Sequence, residues 1–147
     1  MVEHDLAKVR VAGSNPVFRS NKLIMVKLIP PSKIEIRNTE TMGLGVFAHT
    51  MIRIGEVLED TPLVYLPIGP DGPDLLPDYR FSYPAREDNW EYMCMACGFG
   101  SIYNHSNNPN VIWNAHPTIA NAFRFTALRD IQVGEQCFIY YGNVEYP

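Results

Sequence analysis

A mainly β single domain is the fold class this sequence predicts, and three observations carry the prediction. Short runs rich in β-branched and aromatic residues recur along the chain, glycine turns separate them, and a dense stretch of prolines in the middle excludes a long helix there. At 147 residues the chain is long enough for one domain with a real core, burying about two-thirds of its unfolded surface. Hydrophobic residues at 46% and charged residues at 19% fit a soluble globular chain. No apolar run approaches the ~20 residues that a membrane-spanning helix needs, so no transmembrane segment is expected.

The first 32 residues read as an N-terminal arm or extra strand, and residues 33–147 as the folded unit. Within the arm, Gly13-Ser14-Asn15-Pro16 is a turn signal and Leu23 to Ile29 a β-type run ended by Pro30-Pro31. Lys33-Ile34-Glu35-Ile36-Arg37 alternates polar and apolar residues as a half-buried strand does. After a turn at Asn38 to Thr41 comes Met42-Gly43-Leu44-Gly45-Val46-Phe47-Ala48. A glycine turn at Gly55 then leads into a strand ending near Asp60, and Leu63 to Leu66 form another. Six prolines between Pro62 and Pro84 predict an extended surface insertion with no central strand in it. Residues 85–97 are the best helix candidate, with Glu87 and Asp88 early and Trp90, Met93 and Cys97 at helical spacing. Val111 to Trp113 and Ala122 to Ala127 read as strands, Asp130 to Glu135 as a turn, and Cys137 to Tyr141 as a closing β run.

Charge is uneven. Residues 1–40 hold seven bases against four acids, +3, and the remainder five against twelve, −7. The acidic body would attract a basic peptide and repel a nucleic-acid backbone, so no direct nucleic-acid partner is expected; screening over about 8 Å limits this to steering, and a solvated surface explains it equally. The start of the chain lacks the basic residues and apolar stretch of a secretory signal, so an intracellular, reducing compartment, nuclear or cytoplasmic, is expected. Cys94, Cys97 and Cys137 are odd in number, and the Cys94–Cys97 pair has no second pair to complete a zinc site. They read as small buried apolar residues, and no metal is expected.

The most informative stretch is Tyr103-Asn104-His105-Ser106-Asn107-Asn108-Pro109-Asn110, polar and turn-forming residues that predict a loop. The glycine-rich Gly98-Phe99-Gly100-Ser101-Ile102 before it delivers an Asn-His pair from a segment able to approach something closely. Taken alone it is also consistent with a polar turn around a satisfied histidine. Gly43-x-Gly45-x-x-Ala48 has the letters of a dinucleotide fingerprint, but no strand-helix alternation surrounds it. It is either a tight turn or a backbone that must approach a ligand.

Three features in order, Gly43 to Ala48, Phe99 to Asn110, and Gly134-Glu135-Gln136-Cys137-Phe138-Ile139-Tyr140-Tyr141-Gly142, resemble the SET-domain protein lysine methyltransferases over roughly residues 33–146. The family pattern is G-x-G early, N-H-S-x-x-P-N in the last third, and G-E-E-L-x-x-D-Y near the end. The short layout is most similar to the minimal viral branch of the family. The resemblance implies a β-clip of small sheets with a pseudoknotted C-terminal segment. It implies S-adenosylmethionine as methyl donor, with Gly43, Leu44, Gly45, Asn104, His105 and Tyr141 at its site. Tyr141 matches the catalytic tyrosine, and Tyr79 would line a lysine channel with it. The substrate implied is a lysine in a basic protein or peptide, a histone tail being the natural guess.

Methyl transfer to an amine needs positioning and a neutral nucleophile rather than a covalent intermediate. Lysine starts near pKa 10.4, and an aromatic channel beside a sulfonium disfavours the ammonium, so no dedicated base is required. Departures from the pattern stand at Tyr140, where an acid is usual, and at Gln136-Cys137, where Glu-Leu is usual. They leave a catalytically silent SET-like module, binding peptide or assembling with itself, as the alternative. With only five residues after Gly142 there is no cysteine-rich tail to complete the channel. Either a partner chain in a homodimer or the N-terminal arm would cover it.

Overall fold

The structure is a computed structural model that describes residues 27–67, 79–82 and 92–142. Nine strands account for nearly all of the regular structure there: β1 Ile34–Asn38, β2 Leu44–Ala48, β3 Val57–Pro67, β4 Arg80–Ser82, β5 Tyr92–Ala96, β6 Asn104–His105, β7 Val111–Ala115, β8 Ala122–Ala127 and β9 Gln136–Ile139. One short 3-10 turn, Gly100–Ile102, lies between β5 and β6. They form a four-stranded sheet in the order β1-β2-β9-β6 and a five-stranded sheet in the order β4-β5-β3-β8-β7.

The alternating Lys33–Arg37 segment pairs antiparallel with β2 from Ile34↔Ala48 to Asn38↔Leu44. β2 in turn pairs with β9. β6 lies parallel to β9, with Asn104 opposite Phe138 and His105 opposite Ile139. Asn104 and His105 were expected in a loop; they form a two-residue strand, because the C-terminal strand offers them a ladder that the local sequence alone does not show. The connection after β6 keeps bonding to the chain end: Ser106 N–H donates to the Ile139 carbonyl at 3.0 Å, and the Trp113 indole to the Tyr140 carbonyl at 3.3 Å. These are the contacts that a pseudoknotted C-terminal segment requires.

One apolar cluster joins the two sheets. Val46 and Cys137 enter it from the first sheet and Phe123 and Phe125 from the second, all at 0% exposure, with Ile52, Ile131 and Ile139 beside them. Each large apolar side chain so buried contributes about 1.5–3 kcal/mol. Cys94 and Cys137 are buried as expected, whereas Cys97 is only partly so; all three are free thiols.

Further expectations are corrected. Tyr92–Ala96, in the predicted helix, is a strand; residues 85–91 lie outside the described residues. From Met93 to Ala96 burial alternates between partial and complete, a period of two, and β5 pairs with β3 on one side and β4 on the other. Partners on both sides outweigh the helical spacing of Trp90, Met93 and Cys97.

The proline-rich stretch was expected to contain no central strand, yet Pro62 lies within β3, the central strand of its sheet. β3 pairs with β8 up to Pro62↔Ala122 and with β5 from Leu63↔Ala96 onward. The donor that proline lacks therefore falls one residue beyond the β5 ladder, while its carbonyl accepts the Cys97 N–H at 2.9 Å. Leu23 to Val26 lie outside the described residues. Lys27 to Ile29 form no strand, although Ile29 exchanges two hydrogen bonds with Asp60.

Candidate active site

The turn between β1 and β2 is tied by Thr39, whose hydroxyl and N–H both donate to the Gly43 carbonyl, at 3.0 and 2.7 Å. The Thr39 hydroxyl also accepts the Met42 N–H at 2.8 Å. Met42, Gly43 and Leu44 are thereby fixed at the edge of the first sheet. Gly45 follows at a place with no room for a side chain: a Cβ there would lie 2.6 Å from Gln136 Nε2 and 2.9 Å from Asn104 Nδ2. The close approach anticipated for this glycine is thus an approach of chain to chain, which lets Asn104 donate from Nδ2 to the Leu44 carbonyl at 3.0 Å.

His105 meets the last residues of the fold. Its Nδ1 accepts the Tyr141 N–H at 3.1 Å, and its Nε2 stands 3.1 Å from Asn107 Oδ1. With Nδ1 accepting, the ring proton belongs on Nε2, donated to Asn107. Tyr141 then donates its hydroxyl to the Tyr103 carbonyl. Both ends of the Tyr141 residue, backbone and phenol, are thus held by the Tyr103–His105 segment.

These residues surround a cavity of about 390 Å³ lined by Met42, Gly43, Leu44, Tyr79, Ser101, Ile102, Asn104, His105 and Tyr141. Of the residues singled out from sequence, Gly43, Leu44, Asn104, His105, Tyr141 and Tyr79 meet there; Gly45 lies behind the wall, against Asn104 and Gln136. Met42, Ser101 and Ile102 were missed. The signal for the last two was the glycine-rich lead-in itself, since Gly100 has no space for a Cβ, which would come within 2.5 Å of Ala96.

Two buried polar systems brace the sheets, one on β9 and one between β3 and β8. Asn110, 1% exposed, donates to the Gln136 carbonyl at 2.8 Å and accepts the Phe138 N–H at 2.7 Å. Asp60 is buried: burial alone would raise its carboxyl, but the paired Arg124 guanidinium at 2.7 Å, the Ile29 N–H and His116 hold it below the usual range.

Comparison with known proteins bears on the same region, because the SET domain family model matches residues 43–142, the span from the first cavity-lining turn to just past Tyr141. The chain belongs to the SET-domain family. This SET domain is 32% identical over 118 residues, 76% of the chain and 75% of the relative, to a Schizosaccharomyces pombe histone-lysine N-methyltransferase specific for H3 lysine-37. Among solved structures it is similar to a Plasmodium falciparum protein classed as a histone methyltransferase, at 30% identity and a TM-score of 0.59 over 78% of this chain and 97% of that one. Among the described residues no helix is long and apolar enough to cross a membrane.

Proposed function

We propose that this SET domain is a protein-lysine N-methyltransferase that takes its methyl group from S-adenosylmethionine, with the unit starting at residue 33. The observation that carries the reading is the convergence of the Gly43–Leu44 backbone, Asn104, His105 and Tyr141 on one cavity from three distant parts of the sequence. The cavity fits such a donor: about 390 Å³ lies in the range of small-molecule pockets, roughly 300–1,000 Å³. Its lining offers backbone and amide groups beside the apolar Met42, Leu44 and Ile102. With Asn104 Nδ2 committed to Leu44, its Oδ1 is left to accept from an ammonium group. When bound, S-adenosylmethionine supplies an electrophilic methyl on a sulfonium.

The chain's own part is to bind, orient and desolvate. A lysine amine must arrive neutral, and the tyrosine walls from Tyr79 and Tyr141 replace the water that would stabilise its ammonium. Tyr141 gives its hydroxyl proton to the Tyr103 carbonyl, so toward the cavity its oxygen can only accept. An amine N–H donated to that oxygen fixes the direction of the nitrogen lone pair, which is the positioning that an in-line displacement requires. Tyr79, 43% exposed, stands at the mouth.

The substrate we propose is a lysine in a basic protein tail. The fission yeast relative is named for histone H3, and the excess of acids over bases after residue 40 favours a basic segment. A partner chain, as in the minimal viral branch that the layout resembles, or the N-terminal arm would complete the lysine channel. Calorimetry with S-adenosylmethionine tests the reading: binding in the micromolar range, weakened at least tenfold by Asn104→Ala, supports it. A folded parent that binds no cofactor overturns it in favour of a silent peptide-binding module, the reading to which Gln136 and Tyr140 lend themselves.

A further inference from the structure

The mechanism above uses Tyr141 but not a buried carboxyl elsewhere in the fold, that of Glu59. Glu59, on β3 at the bulge that opens between Val57 and Glu59, is 0% exposed. Its Oε2 accepts the Phe99 N–H at 3.2 Å, an approach made possible by Gly98, whose φ of +90° sets the turn and whose missing Cβ would lie 3.1 Å from that oxygen. Glu59 Oε1 and the Tyr103 hydroxyl are both buried, and neither completes a regular hydrogen bond. The two side chains nonetheless influence each other, Tyr103 lowering the carboxyl and Glu59 raising the phenol, against the larger effect of burial, which raises both. The Tyr103 ring is stacked on Phe125 at 4.7 Å, and the Tyr103 carbonyl takes the Tyr141 hydroxyl.

We propose that Glu59 is a positioning residue for Tyr141, gripping both ends of the Phe99–Tyr103 segment so that the Tyr103 carbonyl stays where the Tyr141 hydroxyl donates to it. The same segment carries Ser101 and Ile102 into the cavity wall, so one carboxyl braces both the wall and the tyrosine. The grip is strongest when the carboxyl is ionised and accepts from both donors as charge-assisted bonds.

Its ionisation falls near neutral pH, since burial pushes the carboxyl up to about 7. The other titratable groups facing this pair lie outside that range. Asp60 beside it is held low, Cys137 on β9 is pushed up to about 12, and Tyr103 is well above its ordinary value. Grip and pH are therefore coupled through Glu59.

The inference rests on the methyltransferase reading, and the test separates the two. Turnover at saturating S-adenosylmethionine and a histone-tail peptide is measured from pH 6 to pH 9 for the parent and Glu59→Gln. Glutamine keeps the shape and an acceptor but cannot ionise. The ratio of parent to variant kcat is expected to rise from near 1 at pH 6 to about tenfold above pH 8, the effect of one good hydrogen bond, with its midpoint near 7. Tyr103→Phe, which keeps the stack on Phe125, is expected to repeat the pH-dependent ratio.

A ratio that does not change with pH, whatever its size, overturns the proposal and leaves Glu59 a structural residue. A second readout needs no activity. The ring-carbon NMR signal of Tyr141 in tyrosine-labelled protein is expected to shift with a midpoint near 7 in the parent and not in Glu59→Gln. An inactive parent that still shows this shift removes the methyltransferase reading and keeps the positioning one, whereas no shift in the parent removes the positioning role.

Discussion

The side chain of Asn110 fastens the backbone of Phe138: its Oδ1 accepts the Phe138 N–H at 2.7 Å while its Nδ2 donates to the adjoining Gln136 carbonyl at 2.8 Å. An amide bonded at both ends to one strand does the work of a neighbouring strand, and it does so without solvent, at 1% exposure. β9 is thereby held beside Asn104 and His105, and Tyr141 follows it directly into the cavity wall.

Replacing Asn110 with alanine leaves a buried carbonyl and a buried N–H without partners. The expected loss is about 3 kcal/mol, from two hydrogen bonds at 1–2 kcal/mol each, read as a lower urea midpoint with an unchanged slope. S-adenosylmethionine binding is expected to weaken along with it, because β9 carries Tyr141. A loss under about 1 kcal/mol would show that the ladder to β6 holds the strand without this amide.

Tyr141→Phe removes the oxygen that is placed to accept from the substrate amine and leaves the ring that walls the cavity. Turnover is expected to fall about 10²–10³-fold, the scale for loss of one preorganised polar contact at a reacting group. Cofactor affinity measured by calorimetry is expected to stay within about threefold, less than 1 kcal/mol. A phenylalanine variant as active as the parent would remove Tyr141 from the chemistry.

Gly45→Ala tests the packing of the glycine turn. The added Cβ meets Gln136 Nε2 at 2.6 Å and Asn104 Nδ2 at 2.9 Å, so the Asn104 amide must leave its bond to Leu44. A stability loss of about 1–3 kcal/mol is expected from the overpacking, with at least a tenfold loss in cofactor affinity. Gly55→Ala is the control. Its φ of +78° makes alanine strained, but nothing lies within 4 Å, so it is expected to lower stability and leave affinity unchanged.

Much of this was legible in the chain, and the failures have physical causes. Strands at Ile34–Asn38 and Ala122–Ala127 are visible as alternation, although in the first only Ile34 reaches the core, whereas Gly43 to Ala48 read as a turn and its Leu44–Ala48 part is a strand. Five of the site residues expected from the motifs line one cavity because those motifs bring the ends of β2 and β9 together through β6, a contact fixed by order along the chain rather than by local propensity. β5 was misread because a strand between two others, with buried Cys94 and Ala96 between half-buried methionines, shows apolar residues at every position and so fits a helical spacing as well. β6 was invisible because a two-residue parallel strand has no periodicity at all. Glu59 was passed over because one acid in a β run gives no sign that it will be buried.

That acid governs the last prediction, which concerns stability and not rate. Burial lifts the Glu59 carboxyl from an ordinary value of 4.5 to about 7, although the Phe99 N–H and the Tyr103 hydroxyl pull it down. Between those limits the folded protein keeps a proton that the unfolded chain has lost, so stability falls as pH rises. Above pH 7 the folded state carries the whole penalty, on the order of 3 kcal/mol. Asp60, Glu56, Asp130 and Glu135 slope the other way, since their carboxyls are held below their ordinary values and lose stability only as the solution becomes acidic. The two windows barely overlap. Urea unfolding of parent and Glu59→Gln from pH 5 to pH 8 is therefore expected to show a difference that grows in favour of glutamine, by up to about 3 kcal/mol, and levels off above pH 7 to 8. A difference that is constant across the range would mean that Glu59 has the same proton affinity folded and unfolded, so that its burial costs nothing. A variant that becomes more stable while turning over more slowly above pH 8 would mark Glu59 as a residue kept for function at the expense of the fold.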